Sequence, residues 1–242
     1  MTMASTAQGS IGTGDFLGQT FRIFGDARND ALTYILVIGG ITALGVILGW
    51  TEDTATSFGW SAGFSIDQND TLASGLFEIV AAIIGIVAGY MLLKRYLAAQ
   101  GRQRVDDNRF WPYLGTAILS GIAIGLGILL LVVPGLFLMV RWAASSGFVI
   151  GRGEGVTDSL KASWHATKGH GWGIFLAALV LFIGGVVLAG IVGGGLAAIN
   201  ATLGGVLSAF IEAAFGAVLM AFGIGVYTLV ADDARQTAEV FE

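Results

Sequence analysis

Three ionisable side chains sit inside long apolar runs, so any chemistry within those runs falls to them. They are Arg141 in LFLMVRWAASSGFVI, Glu78 in SGLFEIVAAIIGIV and Glu212 in SAFIEAAFGAVLM. Arg141 follows Pro134 by seven residues, or ~10 Å along a helix. In a hydrocarbon core ~30 Å thick that places it near the middle. An unpaired charge there costs at least ~2.5–3.5 kcal/mol, so the guanidinium must find a carboxylate, backbone carbonyls or water. Glu212 lies eight residues past Gly204, ~12 Å deep, which matches Arg141. Glu78 lies four residues into its run, ~6 Å deep. The expected pair is Arg141–Glu212, with Glu78 as a second acid nearby. Such a site can bind an ion, a proton or a lipid headgroup; the plainer and preferred reading is a pair that locks helix packing.

Little else offers chemistry. His165 and His170 are five residues apart and do not share a helical face, so they read as solvated interfacial histidines rather than metal ligands. The chain has no cysteine, so it forms no disulfide and no thiolate site. No phosphate loop, nucleophile elbow or zinc motif is present. No catalytic residue, cofactor or metal is expected, and no nucleic-acid partner.

The elements that position these charges are membrane helices. Of 242 residues, 55% are hydrophobic and 12% charged, about half the charge of an ordinary soluble domain. Six apolar runs are long enough to cross a bilayer: Ala31–Trp50, Ser74–Tyr96, Pro112–Val133, the short Leu136–Ile150, Trp172–Leu196 and Gly204–Val230. Pro134-Gly135 is expected to turn the chain between the third and fourth. The 38 glycines lie largely within the runs and form small-residue ladders suited to close helix packing: Ala81, Gly85 and Gly89; Gly121 and Gly125; Gly185, Ala189 and Gly193. A protein partner or a second copy would dock through such Gly/Ala faces.

Residues 1–14 read as a disordered tail, 15–230 as one six-helix membrane domain and 231–242 as a polar tail. Eleven of the twelve basic residues fall in segments on one side of this arrangement, Arg141 being the exception. The positive-inside rule then puts both termini in the cytoplasm. Five basic residues, from Lys94 to Arg109, flank one short loop. The opposite loop, Thr51–Ala73, holds Glu52, Asp53, Asp67 and Asp70, with Phe58, Trp60 and Phe64 as interface anchors.

Two amphipathic segments each lead into a span. In the first, Phe16, Leu17, Phe21 and Phe24 fall near one helical face; in the second, Val156, Leu160 and Trp164 do, with Thr157 or Asp158 as N-cap. Both are expected to lie along the cytoplasmic membrane face. They align with Leu17 over Leu160, Thr20 over Ser163 and Phe21 over Trp164, and SGLFE at Ser74–Glu78 echoes SAFIE at Ser208–Glu212. Spans one and two would then correspond to five and six in a parallel repeat.

The run VVPGLFLMVRW followed by SLKASWHATKGHGWGIF resembles a bacterial membrane-domain family. That domain occurs attached to some glycerophosphoryl diester phosphodiesterases and as stand-alone six-span relatives. The matching positions are Pro134, Gly135, Arg141, Trp142, Ser163, Trp164, Thr167, Lys168 and Gly169. The resemblance implies a membrane module, in the bacterial inner membrane, without the phosphodiesterase, for whose barrel the chain has no room. The function expected is a non-enzymatic scaffold or accessory protein that supports a partner or organises lipid. The alternative is a small transporter or lipid-handling protein working through the Arg141/Glu212 site.

Overall fold

The computed structural model describes residues 11–50, 71–102 and 108–240, with residues 233–240 as backbone alone. The expected interface anchors Phe58, Trp60 and Phe64, and the four acids beside them, lie outside the described residues. Every regular element that is described is helical. In chain order these are α1 (Thr13–Asp26), α2 (Arg28–Leu48), α3 (Leu72–Ala99), α4 (Phe110–Leu130), α5 (Val132–Trp142), α6 (Ser145–Gly147), α7 (Val156–Ala166), α8 (Gly171–Ala189), α9 (Gly195–Ala197) and α10 (Ala201–Val240). Single π-helical stretches extend α6 to Arg152 and join α8 to α9. Six stretches are long and apolar enough to cross a membrane: Arg28–Leu48, Leu72–Ala99, Phe110–Leu130, Val132–Arg152, Gly171–Ala197 and Ala201–Asp232. The protein is a multi-pass, all-α membrane protein.

The bundle is organised around α10. Its row of alanines at every fourth position, Ala209, Ala213, Ala217 and Ala221, is buried. Small residues of this kind allow close helix approach, and α10 packs on α2 and α1 and also on α3 and α8. Larger α10 side chains seat in notches where the facing helix has no Cβ. A Cβ on Gly39 would lie 2.5 Å from Phe210, and one on Gly185 2.6 Å from Phe215. None fits at Gly147 against the Tyr227 ring. Much of the glycine content is thus spent on packing inside one chain. Gly121 and Gly125 of α4, by contrast, face open space.

The α4–α5 hairpin stands apart from this post. It packs on itself, on α7 and at few other places. In the third span 11% of the most apolar window is buried, against 56% in the sixth, so α4 presents most of its surface outward.

Several boundaries differ from expectation. The turn between the third and fourth spans is not at Pro134-Gly135: the chain breaks at Leu131, which is extended, and Pro134 and Gly135 lie in the first turn of α5. Proline is tolerated there because a helix's first N–H groups have no partner within the helix. Gly135 matters for contact instead, since a Cβ on Gly127 would lie 2.9 Å from its Cα. The fourth span is longer than Leu136–Ile150, because the chain stays helical to Arg152 after a break at Ala143–Ala144. The first helix starts at Thr13, inside the expected tail, with the Asp15 carboxylate accepting from the Gly12 N–H at 2.8 Å. The last helix runs on to Val240 through the expected polar tail. The N-cap of α7 is Gly155, not Thr157 or Asp158.

Candidate functional site

The break in the fourth span is where the chemistry-bearing residues meet. At Ala143–Ala144 the helical ladder is interrupted, and α7 supplies replacements. Ser163 Oγ donates to the Arg141 carbonyl at 2.8 Å and accepts from the Ala144 N–H at 3.3 Å. Thr167 Oγ1 lies 3.3 Å from the same carbonyl and donates to Ser163 O at 2.9 Å. Ser163 and Thr167 are fully buried, where an unmade backbone bond would cost ~1–3 kcal/mol. Hydroxyls inserted into a helical ladder are a recognised cause of kinks. Two glycines with φ of +74° and +86°, Gly153 and Gly169, close the chain on either side of α7; this left-handed region suits residues without a Cβ. Thr116 of α4 and Ser159 of α7 share a hydrogen bond at 3.3 Å, which ties the hairpin to α7.

Arg141 is seated by rings. Its guanidinium lies 5.0 Å from the Phe137 ring centre and 5.6 Å from that of Trp164. The two rings meet edge to face at 5.5 Å. Such contacts offset about 0.5–2 kcal/mol of the cost of a poorly hydrated cation. Arg141 Nε and Nη1 are nonetheless buried with no hydrogen-bond partner among the described residues. The expected ion pair with Glu212 or Glu78 is therefore not formed. The reason is register: the fourth and sixth spans do pack together, but a Cβ on Gly223 would lie 3.1 Å from the Ala143 carbonyl and none fits at Gly147 against Tyr227, so Glu212, eleven residues before Gly223, lies ~16 Å from the level of Ala143 toward the start of its span. Glu78 is on α3, whereas α5 packs on α4, α7 and α8. Counting depth from each turn put Arg141 and Glu212 at one level; the packed spans do not. Both acids are partly buried.

Beside Arg141, Trp142, Leu160, Lys161, Trp164 and His165 line a shallow groove that opens to the surface. Trp164 belongs to both places, walling the groove and carrying the guanidinium. Lys161, His165 and Lys168 are exposed, as is Asp158 in the first turn of α7. Glu154, just before α7, has Oε2 buried without a hydrogen-bond partner among the described residues. Burial pushes its carboxyl above the ordinary range; Arg152 pulls it back in part and Asp158 adds to the rise. Of the motif positions singled out in the sequence, Arg141, Ser163, Trp164 and Thr167 converge here. Trp142 lines the groove, Gly169 ends α7, Lys168 faces outward, and Pro134 and Gly135 lie at the far end of α5.

A second polar cluster ties α1 to the post. Gln19 Nε2 donates to Gln100 Oε1 and to Thr228 Oγ1, each at 3.2 Å, and Gln100 Nε2 donates to Asp26 Oδ2 at 3.1 Å. Arg102 pairs with Asp232 and lies over the Tyr227 ring. Tyr96 donates to the Ala217 carbonyl at 3.1 Å. The set was not legible in the sequence because its hydrogen-bond partners are 74 to 209 positions apart. The available signal was Gln19, an amide between Phe16 and Ile23 on the buried face of α1.

Comparison with protein-family models, curated proteins and solved structures finds no match.

Proposed function

We propose that this chain is a non-enzymatic integral membrane protein of the accessory or scaffold type, one that supports a partner or organises lipid. The observation that carries the reading is the closed packing of α10, with its alanine ridge and its rings seated in glycine notches. A transport route needs a polar path between helices, and close packing along α10 argues against one there. The distribution of basic residues supports a cytoplasmic location for both termini. α1 and α7 then rest on the cytoplasmic face, where a bacterial inner membrane supplies anionic lipid. The resemblance of the Pro134–Gly169 segment to the phosphodiesterase-associated membrane domains fits the same role.

The alternative, a small transporter or lipid-handling protein, draws on one observation, the unpartnered Nε and Nη1 of Arg141. Because the chain has no cysteine, single cysteines separate the two. At Ala213, Ala217 and Ala221 a small hydrophilic thiol reagent should leave the protein unlabelled from either side. Cysteines at Thr202 and Lys168 report orientation: an impermeant reagent on whole cells should reach the first and not the second. Labelling along the alanine ridge would replace the scaffold reading with transport.

A further inference from the structure

We propose that the groove between α5 and α7 binds an anionic glycerophospholipid, its phosphate at Lys161 and His165 and one acyl chain against the indoles. The proposal rests on the lipid-organising part of the reading above and names the lipid class. Four observations carry it.

The groove has the two-part chemistry of a phospholipid. Trp142, Leu160 and Trp164 provide apolar walls, and Lys161 and His165 provide donors beside them. Aromatic side chains of this kind favour the level where headgroups meet acyl chains.

The apolar wall continues beyond the groove. Trp164 touches Phe137 edge to face, and Phe137 and Leu136 are exposed on α5. Phe137 lies five residues before Trp142 on the same helix, ~7.5 Å farther along it. A chain leaving the groove past Trp164 therefore meets apolar surface. A free phosphate or a soluble anion would leave that surface unused.

The site carries a net positive charge. Arg141 stands behind Trp164 with no carboxylate partner, and Lys161 makes no ion pair among the described residues. Asp158 lies three residues before Lys161 on the same side of α7 and offsets one charge, so Arg141 and Lys161 together leave one positive charge in excess. A phosphodiester would balance this excess, and each basic residue near a membrane surface is worth about 1 kcal/mol toward anionic lipid.

The site is also braced. Ser163 and Thr167 fasten α7 to the broken span, so the two walls hold their spacing without a ligand.

The test is native mass spectrometry of the purified full-length chain in neutral detergent. Phosphatidylglycerol and phosphatidylcholine with the same acyl chains are added in equal amounts. The wild type should retain phosphatidylglycerol in preference. Lys161→Gln, an exposed change that leaves the fold intact by circular dichroism, should lower that retention about fivefold, the equivalent of one charge. Phosphatidylcholine retention should be unchanged. Trp142→Ala should lower retention of both lipids. Arg22→Gln, which removes an exposed cation on α1, should have no effect, and millimolar glycerol phosphate should not displace the lipid. Equal retention of the two lipids would overturn the proposal, as would an unaltered preference in Lys161→Gln. A loss in Arg22→Gln matching that in Lys161→Gln would reduce it to diffuse surface charge. Displacement by glycerol phosphate would make the site one for a soluble anion. Each of these results leaves the cysteine-labelling test of the closed core untouched, so the two readings fail separately.

Discussion

α1 and α7 occupy equivalent places in the chain, each a short helix directly before a span, and they are held by different chemistry. The buried face of α1 is Phe16, Gln19, Thr20 and Ile23, and its amide reaches across to α3 and α10. Of the stripe expected to face the membrane, Phe16 is instead fully buried in the bundle, whereas Phe21 is 57% exposed. α7 buries Ser159, Leu160 and Ser163 and uses hydroxyls to complete the backbone of a broken helix. Two of the pairs aligned in the expected repeat are alike in burial: Thr20 and Ser163 are both fully buried, and Ser74 and Ser208 are 4% and 2% exposed; Phe21, exposed, and Trp164, partly buried, are not. A similar residue pattern therefore serves two ends. The first helix closes the bundle around its post. The second braces a kink and leaves its outer face open as a groove.

The contrast can be broken by experiment, most severely at α7. Ser163→Ala with Thr167→Val strips both hydroxyls from the Arg141 carbonyl and should cost about 2–4 kcal/mol in all, taking ~1–3 kcal/mol for each buried group left unpaired. A thermal melt in detergent reads this as a clear fall in Tm. A melt within a degree of wild type would mean that the kink does not depend on α7. At α1, Gln19→Leu should cost about 1–2 kcal/mol, because Gln100 and Thr228 lose a shared donor but sit near the end of the bundle where water can replace it. If it costs more than the α7 pair, the ranking of the two helices is reversed.

The smallest effect should come from Arg141 itself. Arg141→Met keeps the apolar stem between Phe137 and Trp164 and removes the charge; about 1 kcal/mol of cation–ring attraction is lost, and relief of the buried, unpartnered Nε and Nη1 groups returns at least as much, so the melt should stay near that of the wild type or rise. Combined with Glu212→Ala, the two effects should add within about 0.5 kcal/mol, as for sites that share no partner. A coupling well above that, measured in a double-mutant cycle, would restore an Arg141–Glu212 pair.

Much of the fold was legible in the sequence, for a physical reason. A bilayer demands ~20 apolar residues per crossing and internal satisfaction of every backbone group, so hydropathy alone marks the six spans to within a few residues. The convergence of Ser163, Trp164 and Thr167 with Arg141 was legible only as a motif. Nothing in the residue types says that two hydroxyls on α7 will complete a helix 22 and 26 positions earlier. The helix starting at Thr13 and the extension of α10 to Val240 were not legible, because these polar segments carry no apolar periodicity.

What the sequence determined by itself is the class of the molecule: the number of crossings, their order, the end that gathers the basic residues, and the isolation of Arg141 in an apolar run. Each of these follows from transfer energies that act residue by residue. The tertiary structure decided which faces meet. It set Glu212 about three helical turns from the level at which the fourth and sixth spans meet, where Ala143 faces Gly223, seated Arg141 between two rings, and drew α7 onto the broken span. Position within a span can be counted from the chain, but how far one span slides against its neighbour depends on which ridges and glycine notches fit together, and that fit exists only once the helices are assembled.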